Sequence, residues 1–220
     1  MRKYGTCFFE QYAQISLSAL LGGEFDGLVN RDRPDLQSGN DRSMGIEVTR
    51  AMEESKTAAD QLLKEIAGLT HPDGEREDLE HIIENGYAYG LGGGRYIGAK
   101  ELEYWELAMP LRRILESKIS KAGNGFYGRF DRMGLYIFCK DPLKTSEAVK
   151  TCRYAMSLQK YMDIRYNSLY LSETSCLYVC NLDDGIKDSA RLVSLPITSA
   201  QRHDFYFRAL RRQLEESELQ

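Results

Sequence analysis

Residues 31–50 read RDRPDLQSGNDRSMGIEVTR, and this stretch decides how the rest of the chain is read. Apolar residues on either side of a short polar run predict a β-hairpin over 33–49. Side chains alternate along a strand, so Met44, Ile46 and Val48 share one face while Glu47 and Thr49 share the other. The first face is apolar and belongs against a core. With the turn centred near Asp41, Asp35 falls directly across from Glu47, with Cβ atoms about 5 Å apart. A register slip of one residue would undo that pairing. Two ionised carboxylates so placed repel each other, and a bound cation, a shared proton or a neighbouring arginine must compensate. Arg31, Arg33, Arg42 and Arg50 crowd the hairpin. They could pair with the carboxylates or contact phosphate oxygens.

Outward from the hairpin, hydrophobic periodicity supplies the other elements. Residues 6–21 predict a helix with Phe8, Tyr12, Ile15 and Ala19 on one stripe, stopped by Gly22 and Gly23. An extended piece through Leu28 and Val29 leads into the hairpin. Downstream, Met52, Ala59, Leu62, Leu63 and Ile66 predict a helix ending at Gly68. Residues 70–100 are irregular: YAYGLGGGRYIG is rich in glycine, but GLGGGR lacks the last glycine of GxGxxG and no GK[ST] follows. A mobile loop between elements is the reading there, not a phosphate cradle, although such loops often contact substrate when near an active site. A long helix spans about Glu101–Ala122, with Leu107, Leu111, Ile114, Leu115 and Ile119 on its stripe and a kink or restart expected at Pro110. GLYIFC (134–139) predicts a buried strand, and 145–160 a helix capped by Thr145 or Ser146. RYNSLYLS and CLYVCNL predict two strands about a turn at Glu173–Ser175. RLVSLPIT is extended, and a charged helix starts near Ser199. This order of elements predicts a mixed α/β sheet flanked by helices, in one domain: a core over 6–182, an insertion over 70–100 and a C-terminal extension over 183–220.

Composition narrows the function classes. The 220 residues are 42% hydrophobic and 28% charged with a formal net charge of −4, so the chain is not a bulk polycation. A local basic groove can still coexist with an acidic remainder. No run approaches the roughly 20 apolar residues that cross a bilayer. Five cysteines without a CxxC pair argue against a disulfide framework or zinc knuckle and fit a reducing cytoplasm. His71, His81 and His203 are scattered, without HExxH spacing. A homo-oligomer is compatible with everything in the sequence.

Pro34-Asp35 followed by Glu47-Val48-Thr49 resembles the PD-(D/E)XK nuclease superfamily, whose hairpin Asp and Glu bind the metal while a Lys two positions on supports attack by water. The element order over roughly residues 6–182 is similar to that superfamily's αβββαβ, restriction endonuclease-like core. The resemblance implies a metal-dependent nuclease acting on DNA, with RNA as the alternative substrate, and Mg²⁺ or Mn²⁺ as cofactor. It implies metal contacts from Asp35, Glu47, the Val48 carbonyl and a first-helix glutamate, for which Glu10 is the choice and Glu24 the reserve, and nucleic-acid contacts from Arg33 and Arg50. A hard cation of this kind takes one or two carboxylates and completes its shell with water and phosphate. Thr49 departs from the pattern, since it stands where the motif has lysine. In this superfamily the lysine can migrate to a neighbouring helix. Lys118, beside the apolar stripe of the long helix, is the expected third catalytic residue, ahead of Lys121 and Lys56. The alternative implied by Thr49 is an inactive nuclease-like fold that binds nucleic acid or protein.

Overall fold

The computed structural model describes residues 6–39, 42–51, 91–92, 95–96, 99–139, 143–183 and 191–218. The helix expected over 52–66, together with Lys56, His71 and His81, lies outside the described residues. By packing, the chain divides into two compact units, one of 1–50 with 118–220 and one of 51–117.

The first unit is a mixed α/β layer structure. Helix α1 (Thr6–Leu21) is followed by a 3₁₀ turn at Gly23–Phe25 and by strands β1 (Leu28–Asn30), β2 (Leu36–Ser38) and β3 (Met44–Ala51). Gly22, at φ 61, ends α1 in a left-handed conformation that favours glycine. Helix α2 (Ala99–Gly123) brings its last turn into this unit. Then come β6 (Arg132–Cys139), α3 (Thr145–Gln159), β7 (Ser168–Ser172), β8 (Cys176–Asn181), β9 (Leu192–Pro196) and α4 (Ser199–Glu218). The strands form one seven-stranded sheet in the order β1-β2-β3-β6-β7-β8-β9. Pairing is antiparallel for β1 with β2, β2 with β3, β7 with β8 and β8 with β9. β6 and β7 are parallel, which a crossover through α3 permits. β6 lies centrally, and all but one of the residues from Met133 to Cys139 are buried, as a strand covered on both faces should be.

The core joins α1, the hairpin and α4. Leu36, Met44, Ile46 and partly buried Val48 pack with Phe8, Ile15, Leu17, Tyr136 and Phe205, so the apolar face read from the sequence does meet a core. α1 is buried on more than its expected stripe: Ala19 is exposed, whereas Gln11, Ala13, Ser16 and Leu17 are buried. The reason is that α1 has two neighbours. Phe9 meets Phe138 of β6 at 5.0 Å between ring centroids, and Phe8 and Tyr12 meet Tyr206 and Phe205 of α4 at 5.4 and 5.9 Å. Ser16 and Tyr136 share a 2.9 Å hydrogen bond inside this layer.

Three local features refine the expectations from the sequence. α3 is preceded by Lys144 as its cap, and the Glu147 carboxylate accepts the Lys144 backbone N–H at 2.8 Å. The glutamate at N3 therefore sets this end, with Thr145 and Ser146 inside the helix. In the second unit, part of the glycine-rich segment forms a short antiparallel pair, β4 (Leu91–Gly92) with β5 (Arg95–Tyr96). α2 is assigned as one helix through Pro110, without a restart. Among the described residues no helix is long and apolar enough to cross a membrane.

Candidate active site

Leu36 pairs with Ile46 and Gln37 with Gly45. The same register carried one residue further sets Asp35 opposite Glu47, where directly opposed Cβ atoms lie about 5 Å apart. A tight local framework holds Asp35 there. Its Oδ2 accepts the Val48 backbone N–H at 2.7 Å, and its carbonyl accepts Arg31 N–H at 2.8 Å. Gln37 Nε2 donates to the Pro34 carbonyl at 2.9 Å and the Asp32 carbonyl at 3.2 Å, bracing the loop from within. Gly45 permits that loop to close: a Cβ at this position would stand 2.7 Å from Pro34 Cγ and 3.0 Å from the Phe130 ring.

Glu47 is buried rather than open to solvent, at 7% exposure. Its Oε1 accepts Lys118 Nζ at 2.6 Å, and the Lys118 side chain is itself only 19% exposed. The compensating cation for the hairpin thus comes from the last turns of α2. The arginines take other partners: Arg33 pairs with Asp32 at 3.3 Å and Arg42 lies over the Phe130 ring. Arg50 belongs to β3, but its side chain lies outside those the structure describes. Glu10 on α1 accepts Asn30 Nδ2 at 2.6 Å and lies near enough to act electrostatically on Asp35. Glu24, the reserve glutamate, is engaged with Arg132.

The electrostatics follow from this crowding. Burial pushes the Asp35 carboxyl up to about 7, and the charges of Glu47 and Glu10 push the same way, against the Val48 N–H and Lys118. Near neutral pH the cluster therefore holds more negative charge than Lys118 offsets, and a further cation would relieve it.

Two tyrosines complete the surroundings. Tyr127 is 4% exposed, and among the described residues its hydroxyl has no hydrogen bond of ordinary geometry. Burial first, and then the Glu47 charge, raise its pKa, so it stays a neutral phenol with an O–H to give. Tyr166 is likewise held neutral by burial, and its hydroxyl stands 3.5 Å from the Lys118 carbonyl. The Gln159 amide fixes Tyr166 by pairing with both its backbone N–H and its carbonyl. The strand alternation pointed to Asp35 and Glu47, and the helical stripe to Lys118. Gln37, Tyr127 and Tyr166 escaped notice, although FYGRF (126–130), with its mixed aromatics and arginine, was a signal in plain view.

A divalent cation suits this donor set in kind, since the anionic groups are all carboxylate oxygens. Among the described residues no group of three or more His, Cys, Asp and Glu side chains is arranged to hold a metal ion. Mg²⁺ needs no such group when water and phosphate complete its shell. No protein-family model, curated protein or solved structure matches the chain.

Proposed function

We propose that the chain is a metal-dependent phosphodiesterase of the PD-(D/E)XK kind acting on nucleic acid, DNA in the first instance. The observation that carries this reading is the buried Lys118–Glu47 ion pair beside Asp35, 2.6 Å long. It supplies from α2 the cation that Thr49 cannot. The order α1, β1, β2, β3, α2, β6, with the short β4–β5 pair before α2, supports the same reading. Asp35 and Glu47, with Glu10 and the Val48 carbonyl, would hold Mg²⁺ or Mn²⁺. Such an ion, when bound, lowers the pKa of water and neutralises charge on a phosphodiester.

The chain's own groups have distinct tasks. The Val48 N–H fixes one Asp35 oxygen and so sets the direction of the other. Lys118 pairs with Glu47 at 2.6 Å and has further ammonium protons with which to hold the oxygen of an attacking water. Tyr127, a neutral phenol buried beside Glu47, has an O–H suited to a phosphate oxygen. Arg33, two residues before Asp35, is the expected backbone contact.

Purified protein incubated with supercoiled plasmid, single-stranded DNA and RNA, in Mg²⁺, in Mn²⁺ and in EDTA, tests the reading. Cleavage is expected in either metal, none in EDTA, and none from Asp35→Asn or Glu47→Gln. Lys118→Met is expected to lower kcat by about 10²- to 10⁴-fold, the range for a lost proton-handling group. Cleavage that survives Asp35→Asn would refute the assignment. The closed Lys118–Glu47 pair also favours a second reading, a nuclease-like fold that binds without cutting. Divalent-cation binding at Asp35 and Glu47 with no cleavage of any substrate would select it.

A further inference from the structure

Beside the carboxylates the surface carries an exposed aromatic ring among cations. Phe126 is 48% exposed. The Arg33 guanidinium lies 5.1 Å from its ring centroid and the Lys121 ammonium 5.5 Å. Four residues on, the Arg42 guanidinium lies 5.9 Å from the Phe130 ring. Arg33, Arg42, Lys121 and Arg129 are all exposed. Arg33 pairs with Asp32, and that pair is solvated, at 60% and 83% side-chain exposure. A pair so open is worth little and exchanges readily for a phosphate.

The chain ties this rim to the acidic site at three points. Arg33 stands two residues before Asp35, and Lys121 one turn beyond Lys118 on α2. Phe126 directly precedes Tyr127, whose buried phenol neighbours Glu47. Each segment that delivers a group to the carboxylates also delivers one to the rim.

We infer that Phe126 is a stacking platform for an unpaired base, with Arg33, Lys121 and Arg42 holding the adjoining phosphates, so that the strand led to Asp35 and Glu47 is single-stranded nucleic acid. In uniform duplex each base face is covered by its neighbours, and an aromatic platform gains nothing. An unpaired base offers its face to any aromatic side chain regardless of sequence. As a statement about what is cut, this rests on the phosphodiesterase reading. As a statement about what is bound, it is tested separately.

Fluorescence anisotropy with labelled oligo(dT) and with duplex of equal length, in EDTA so that nothing is cut, measures the preference. Native protein is expected to bind the single strand more tightly than the duplex. Phe126→Ala should weaken single-strand binding by about 5- to 100-fold, as lost base–aromatic stacking does, and change duplex binding by less than about 2-fold. Phe126→Trp should keep the affinity, and its indole emission should be quenched by oligo(dT), with native protein and its single tryptophan as the control. Unchanged oligo(dT) affinity in Phe126→Ala, a preference for duplex, or equal competition by polyglutamate would each overturn the inference. The two readings fail separately. Asp35-dependent cleavage with Phe126-independent binding removes this inference alone. Phe126-dependent binding without cleavage in any divalent cation removes the phosphodiesterase reading alone.

Discussion

Asp35 shows how one side chain can cost stability for the sake of its position. Its carboxyl titrates near 3.8 in an unperturbed chain and is pushed up to about 7 here, chiefly by burial and then by Glu47. Between those values the folded state binds more protons than the unfolded state, so stability falls as pH rises through the window. Well below pH 3.8 both states are protonated and the penalty vanishes. Above pH 7 it is present in full. Asp35→Asn keeps an acceptor for the Val48 N–H without the charge. In EDTA at pH 8 the variant should be more stable than native protein by about 1–2 kcal/mol, a figure discounted for the partial exposure of the carboxyl. At pH 4 most of that difference should be gone. Urea midpoints at both pH values measure this, and an Asn variant equally destabilised at both would sink the account. The residues that were legible in the sequence carry charge against a periodic background: Asp35, Glu47 and Lys118. Gln37 and Tyr127 were not legible, because a buried amide and a buried phenol look like any polar residue until the loop they brace or face has folded.

At the scale of elements, the site is a strand, a helix and the contact between them. Hydrophobic alternation sets β3, and register with β2 follows from which face must be buried. That is why 31–50 could be read correctly. What alternation cannot show is what covers the second face. The sequence left Glu47 merely opposite the core, whereas the end of α2 closes over it and buries it with Lys118. The cap of α3 was misplaced for a related reason: Glu147 reaches back to Lys144, and Thr145 and Ser146 are capping residues left without that task. Removing one partner of a buried ion pair costs about 3–5 kcal/mol, because the other charge is left uncompensated. Lys118→Met should approach that loss, since Glu47 would then face Asp35 with no cation. Glu47→Gln combined with Lys118→Met should recover a large part of it. Denaturant unfolding of the two single variants and the double closes the cycle. A double variant as unstable as the sum of the singles would mean that the pair is not coupled and that Lys118 acts elsewhere.

For the whole molecule, the question is how a chain of formal net charge −4 would engage a polyanion, as proposed. Long-range attraction of the kind that brings strongly basic proteins to nucleic acid is absent on net charge alone. On the proposed reading, binding would come from a local cluster, which for the first unit means Arg33, Arg42 and Lys121 at the Phe126 and Phe130 rings, with exposed Arg129 next to Phe130 in the chain. Counterion release makes this countable. For a single strand, log Kobs falls with log[salt] with a slope of about −0.7 per phosphate contact. Three or four rim cations therefore predict a slope of about −2 to −3 between 50 and 200 mM NaCl. Replacing Arg33 or Lys121 by glutamine should lower the magnitude by about 0.7 each. Phe126→Ala should lower affinity at every salt concentration and leave the slope alone, because stacking releases no counterions. Anisotropy titrations of oligo(dT) across that salt range separate the two effects. A slope near zero would mean that phosphates are not held at all. One of about −7 or steeper would require around ten contacts, far more than this rim provides, and would move the binding surface away from Phe126.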